Sequence, residues 1–265
     1  MMNIEILDKK AYMKTHDGPL VFVHGAAGGA WYFESFLEYF SSRGYDCYAL
    51  SLRGHGKSEG YDEIDQYGLD DYVLDVRYVI TRLKVKPVLI GHSMGGAIAQ
   101  RYLSTYQDDL KGVILLASAE AGGISEDSPL GLFFSDARSF LRKQKELHPH
   151  LDLTLEKILN QTIFSNRFTE IELKEIKSKL TKESSKVKKD LLKPYMTGFE
   201  KIEIPVCVIG SLGDHIITKE KTLMTAKAFH TRAVFIEDCC HFMTIDPQWE
   251  KAAEAIFKCL DKYKR

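Results

Sequence analysis

Six short apolar runs, each four to six residues long and set off by proline, glycine or charged residues, dictate what this chain can fold into. They occupy residues 19–23, 47–50, 87–90, 113–117, 205–210 and 233–236. A continuous apolar run of this length is a strand covered on both faces, as in a parallel sheet. Amphipathic stretches stand between most of them. Residues 31–43 carry Phe33, Phe36, Leu37 and Phe40 on one helical stripe. Residues 69–83 repeat the pattern with Leu69, Tyr72, Val76, Val79, Ile80 and Leu83. Strands alternating with helices predict an α/β fold, a mainly parallel, doubly wound sheet with helices on both sides. The first residues (Ile4, Ile6, then Ala11-Tyr12-Met13) alternate loosely and predict a short antiparallel hairpin.

The alternation breaks once. Residues 120–197 show no strand pattern and read as amphipathic helices at 153–164, 170–180 and 185–192, preceded by Leu130-Gly131-Leu132-Phe133-Phe134. The simplest division is a core of residues 1–119 and 198–265, with 120–197 as a helical cap inserted after a strand end, over the site face of the sheet. Lysines crowd the insertion, but Glu170, Glu172, Glu175, Glu183 and Asp190 interleave with them, which reads as solvated helix surface.

Gly91-His92-Ser93-Met94-Gly95 lies where the run at 87–90 hands over to a helix. A serine on that turn is forced outward above the sheet, next to helix amides that lack partners. A hydroxyl needs a base before it becomes a nucleophile. Of nine histidines, His241 follows the strand at 233–236 and so reaches the same rim. His24, His55 and His92 lie inside local motifs that favour structural hydrogen bonding; His148, His150 and His230 carry no motif and read as surface residues, and His215, directly after Asp214, reads as a neighbour of the site. Asp214, in Gly210-Ser211-Leu212-Gly213-Asp214, is the best-placed acid to orient the histidine, ahead of Glu120, Asp238 and Asp246. Ser93, Asp214 and His241 then stand in the order nucleophile, acid, base. The loop His24-Gly25-Ala26-Ala27-Gly28-Gly29 follows the strand at 19–23, and the amides of Ala26 and Met94 are the expected oxyanion donors. The loop lacks the lysine of a phosphate-binding loop and the G-x-G-x-x-G pattern. Leu132, Phe133, Phe134 and Phe140 are the candidate pocket residues of the cap.

Together these segments, with Arg53-Gly54-His55-Gly56-Lys57-Ser58 and Cys240-His241-Phe242, resemble the α/β-hydrolase superfamily. The loop at His24 is similar to that of plant methyl esterases and hydroxynitrile lyases, whereas the Arg53 stretch is similar to bacterial esterases and lysophospholipases. The resemblance implies an α/β-hydrolase fold and a Ser-His-Asp hydrolase without metal or organic cofactor. A small carboxylic ester with an apolar part is the expected substrate. Carbon–carbon bond hydrolysis, perhydrolysis, amide cleavage and a hydrolase-like ligand receptor stay open as alternatives, because one scaffold hosts many chemistries. A net charge of −1 gives no footprint for nucleic acid, and no apolar stretch is long enough to cross a membrane. The N-terminus lacks the layout of a secretion signal, and the five cysteines, Cys47, Cys207, Cys239, Cys240 and Cys259, read as buried free thiols. A cytoplasmic monomer or homodimer is expected.

Overall fold

A computed structural model describes residues 2–135, 146 and 162–263. The apolar runs form β2 (Leu20–Val23), β3 (Cys47–Leu50), β4 (Val88–His92), β5 (Gly112–Leu116), β6 (Val206–Ser211) and β7 (Ala233–Ile236). With β1 (Ile6–Lys9) they make one seven-stranded sheet in the order β1-β3-β2-β4-β5-β6-β7. All pairings are parallel except β1 with β3. The N-terminal residues therefore make no hairpin of their own. β1 lies antiparallel along β3, with Ile6 opposite Leu50, and Tyr12 donates its amide to Ser41 instead of pairing back.

The side-chain period of two sorts the strands into two cores. Val21, Val23, Leu89, Val113 and Leu115 face one way. They pack under α2 (Leu69–Ile80) and α3 (Met94–Tyr106) through Tyr72, Val76, Ile98 and Tyr102. Leu20, Phe22, Ile90, Ile114 and Leu116 face the other way, against α1 (Glu34–Ser41) and α8 (Trp249–Leu260) through Phe36, Phe40, Ala252 and Ile256. Neither face is left to water, which is why these strands tolerate no polar alternation.

Between β5 and β6 the described residues contain α4 (Pro129–Ser135), α5 (Glu170–Lys179) and α6 (Ser185–Leu191), and no strand. α7 (Lys219–Ala228) follows β6. Most of the helix expected at 153–164 lies outside the described residues. α6 is not loosely attached: Val187 and Leu191 are fully buried in the core shared with α2.

One feature departs from the sequence reading of the cysteines, and the remaining three thiols follow that reading. Cys207 of β6 and Cys259 of α8 are joined by a disulfide across 52 residues, while Cys47, Cys239 and Cys240 are free and buried. The pairing arises because α8 packs back onto β6 late in the chain, a contact that spacing does not reveal. Among the described residues no helix is long and apolar enough to cross a membrane.

Candidate active site

Ser93 alone makes the turn between β4 and α3. Its backbone sits at φ 54°, ψ −117°, a conformation that costs a non-glycine residue roughly 1–3 kcal/mol. Its amide donates to the Leu116 carbonyl at 3.1 Å and its carbonyl accepts from Ala119 at 3.0 Å, so the end of β5 holds the elbow on both sides. Glycines permit the crossing. A Cβ on Gly91 would collide with the Gly95 carbonyl, and one on Gly95 would collide with the carbonyls of Val23 and His24.

The fold brings three distant side chains together beyond the carboxyl ends of β4, β6 and β7. His241 Nε2 lies 2.9 Å from Ser93 Oγ, and His241 Nδ1 lies 2.8 Å from Asp214 Oδ2. With a carboxylate against it, Nδ1 carries the proton, and Nε2 is free to accept from the serine hydroxyl. The other oxygen of Asp214 accepts from the amides of Ile216 (2.8 Å) and Ile217 (2.9 Å). His92 Nε2 donates to the His241 carbonyl at 2.8 Å. Burial, followed by the nearby His241, holds the His92 imidazole down to about 3, so it stays neutral.

Ser93 and His241 open onto a cavity of about 280 Å³, near the lower end of the roughly 300–1,000 Å³ usual for small-molecule sites. Its walls include Ala26, Tyr32, Leu130, Phe164, Ile216 and Phe242. Met94 is the first residue of α3, so its amide belongs to the set that a helix leaves without internal partners. Leu132 does not line the cavity but packs against the core beside α2 and α3. Leu130 lines it instead, because two residues on a helix point to nearly opposite faces. Phe140 and the side chains of Phe133 and Phe134 lie outside the described residues. Glu120, the second-choice acid, pairs with Lys221 Nζ at 2.9 Å and takes no part here.

A family model described as the alpha/beta hydrolase fold matches residues 18–248. The chain belongs to the alpha/beta hydrolase fold family. An esterase from Exiguobacterium antarcticum superposes with a TM-score of 0.78 at 21% identity, covering 98% of this chain and 96% of its own. The monoacylglycerol lipase of Paleococcus ferrophilus gives 0.73 at 22% identity, covering all of both chains. In sequence, Protein phosphatase methylesterase 1 of Candida albicans is 28% identical over 156 residues, 55% of this chain and 42% of its own length. The chain spans about two fifths of the length of the first curated relatives it matches.

Two ion pairs with buried carboxylates in this alpha/beta hydrolase, neither legible in the sequence, tie the segment between β5 and β6 to the loops around Ser93. The first joins Arg167 to Asp246, whose carboxylate is fully buried. Arg167 Nη2 lies 2.9 Å from Asp246 Oδ2 and also donates to the Asp238 carbonyl. Asp246 accepts in addition from the amides of Cys240 and Gln248. Burial pushes the Asp246 carboxyl up, but Arg167 and these amides outweigh it and hold it below its ordinary range. The loop that carries His241 is thereby held at Cys240, beside the hold that Asp214 has on His241 itself. Arg167→Ala is expected to cost about 2 kcal/mol in urea unfolding, less than a fully buried pair would because Arg167 reaches solvent.

The second pair joins His55 to Glu183. His55 Nε2 lies 3.1 Å from Glu183 Oε2, and both groups are buried. Nδ1 lies 3.1 Å from the Arg53 carbonyl. Both neighbours are acceptors, so both ring nitrogens must donate, which is the imidazolium form. Burial opposes that charge, and Glu183 overcomes it, so the His55 pKa is raised. The Glu183 carboxyl, pushed up by burial, is pulled further down by His55 and by the amides of Ala27 and Ser184. The lowered carboxyl supports the fold above its ordinary 4.5 and loses that support as pH falls through the folded value. The raised imidazole supports it below its ordinary 6.5 and loses that support as pH rises through the folded value. The Tm difference between wild type and Glu183→Gln is therefore expected to be widest between pH 4.5 and 6.5, and to shrink on either side, in thermal melts across pH.

Proposed function

We propose that the protein is a serine hydrolase that cleaves a small carboxylic ester with an apolar part. The observation that carries this reading is the hydrogen-bonded chain Asp214–His241–Ser93 opening onto an apolar cavity. His241 Nε2 takes the Ser93 proton as Oγ attacks the ester carbonyl. The Asp214 carboxylate stabilises the imidazolium that forms. The oxyanion of the tetrahedral intermediate rests on the amides of Ala26 and Met94. The intermediate collapses to an acyl-enzyme, and the imidazolium passes its proton to the departing alcohol. Water, deprotonated in turn by His241, attacks the acyl carbonyl and releases the acid, restoring Ser93. The reaction as written draws on no metal and no organic cofactor.

Residues 120–197 act in this reading as a cap on the core formed by 1–119 and 198–265. Support comes from Leu130, Ile163, Phe164 and Leu180, which wall the cavity from that segment. They would set the fit of the acyl or alcohol group. The names of relatives and structural neighbours, esterase and lipase among them, agree with ester cleavage. The testing experiment is turnover of p-nitrophenyl esters of increasing acyl length, beside matched anilides, with a fluorophosphonate titration of Ser93. Ester turnover with stoichiometric labelling is expected. An enzyme that cleaves only the anilides would overturn the ester assignment, and an inert Ser93 would overturn the hydrolase reading itself.

A further inference from the structure

The geometry points to Glu183 as a positioning residue that sets the oxyanion loop from the inserted segment. Four donors converge on its carboxylate. Oε2 accepts from the Ala27 amide (2.9 Å) and His55 Nε2 (3.1 Å), and Oε1 accepts from Tyr72 Oη (3.0 Å) and the Ser184 amide (2.8 Å). The inference rests on the ester-hydrolase reading, because it assigns Ala26 the oxyanion amide. Ala26 and Ala27 are the central residues of a turn closed by the Gly28 amide on the Gly25 carbonyl at 3.2 Å. Ala27, the third residue of that turn, has φ 60°. A positive φ at this place suits glycine and costs alanine. The cost is offset by the insertion, which holds both polar groups of Ala27. Glu183 takes its N–H, and the Thr181 amide donates to its carbonyl at 2.9 Å.

The turn has an alternative. With negative φ at Ala27, the Ala26–Ala27 peptide rotates by roughly half a turn, as between the two common turn types. Its N–H would leave Glu183, and its carbonyl would face the carboxylate. An ionised Glu183 forbids that arrangement by charge, and a withdrawn one permits it. Seating of residues 181–183 thus holds the loop from which Ala26 donates. His55 keeps the carboxylate charged. Facing His55 are Glu183, the rings of His24 (5.1 Å) and Tyr72 (5.8 Å), Asp75, and Arg53, whose side chain Asp75 binds. Burial and His55 hold His24 down to about 3, so it adds no charge.

Glutamine at 183 carries no charge and offers one acceptor oxygen. The Tyr72 hydroxyl, or a neutral His55, can turn to accept from its NH₂, but one backbone amide, that of Ala27 or Ser184, must lose its acceptor. Glu183→Gln is expected to lower kcat on a p-nitrophenyl ester by about 10- to 100-fold, up to the loss of one oxyanion donor, with KM changed less than about threefold. Ala27→Gly added to Glu183→Gln is expected to recover a large part of kcat, because glycine holds positive φ without cost. Wild type is further expected to lose kcat at alkaline pH as His55 gives up its proton, a limb that Glu183→Gln lacks. A role in folding alone predicts no rescue and an unchanged pH profile. If Glu183→Gln does not fold, His55→Gln, alone and with Ala27→Gly, is read by the same two criteria. Wild-type kcat in Glu183→Gln, or no rescue in either background, overturns the inference while leaving ester hydrolysis intact. A wild type that turns over no ester overturns both.

Discussion

Ser93→Ala is expected to lower kcat on a p-nitrophenyl ester by on the order of 10⁶-fold while leaving the protein folded. The size of the loss follows from the absence of any other route in the proposed mechanism. Without Oγ there is no acyl-enzyme, and His241 can at best activate a water placed by chance near the carbonyl. Preserved stability follows from the elbow. Alanine keeps the Cβ of serine and must adopt the same φ of 54°. The backbone bonds to Leu116 and Ala119 and the gaps at Gly91 and Gly95 are untouched. Only the hydroxyl's bond to His241 is lost, and a single hydrogen bond of this kind contributes about 1 kcal/mol. The check is a pair of measurements on one sample: steady-state turnover with fluorophosphonate labelling, and a thermal melt. Activity within a few-fold of wild type in a folded Ser93→Ala protein would remove Ser93 from the reaction.

What could be read from the chain differs between fold and site for a physical reason. β2 and β4–β6 were legible because burial on both faces leaves an uninterrupted apolar run, a signal confined to a few consecutive residues. The positions of Ser93, Asp214 and His241 were legible because each directly follows such a run, and the ends of parallel strands share one rim. The structure brings these three side chains within hydrogen-bond distance. Glu183 was not legible. It stands in the charged stretch 170–190, where lysines and acids alternate as they do on any solvated helix, and what distinguishes it is four donors, three of them contributed by residues 27, 55 and 72. Arg167 and Asp246 stand 79 residues apart, and only the fold shows that they pair. Leu132 shows a finer limit: an apolar cluster marks a helix that buries something, but the choice between the cavity and the core depends on the helix rotation, which separates Leu130 from Leu132. The Cys207–Cys259 disulfide depends on how α8 returns to β6, and nothing near either cysteine records that.

Asp214→Asn is expected to reduce kcat by on the order of 10⁴-fold at neutral pH, although it alters only one atom's chemistry. The reason lies in how the carboxylate is held. Oδ1 accepts from two backbone amides, those of Ile216 and Ile217, so only an acceptor fits there. An asparagine at this position must keep its carbonyl oxygen on those amides, which directs its NH₂ at His241 Nδ1. Facing a donor, Nδ1 becomes the acceptor, and the ring proton moves to Nε2. Nε2–H then points at Ser93 Oγ and cannot take its proton. The loss is therefore one of tautomer rather than of shape, and it makes a separate prediction. KM should change little, because Asp214 does not line the cavity. Activity should rise more steeply toward alkaline pH than in wild type, because hydroxide can then remove the serine proton without the ring. A pH–rate profile of Asp214→Asn beside wild type checks both statements. An asparagine variant that keeps wild-type kcat near pH 7 would show that His241 does not depend on Asp214 for its working tautomer.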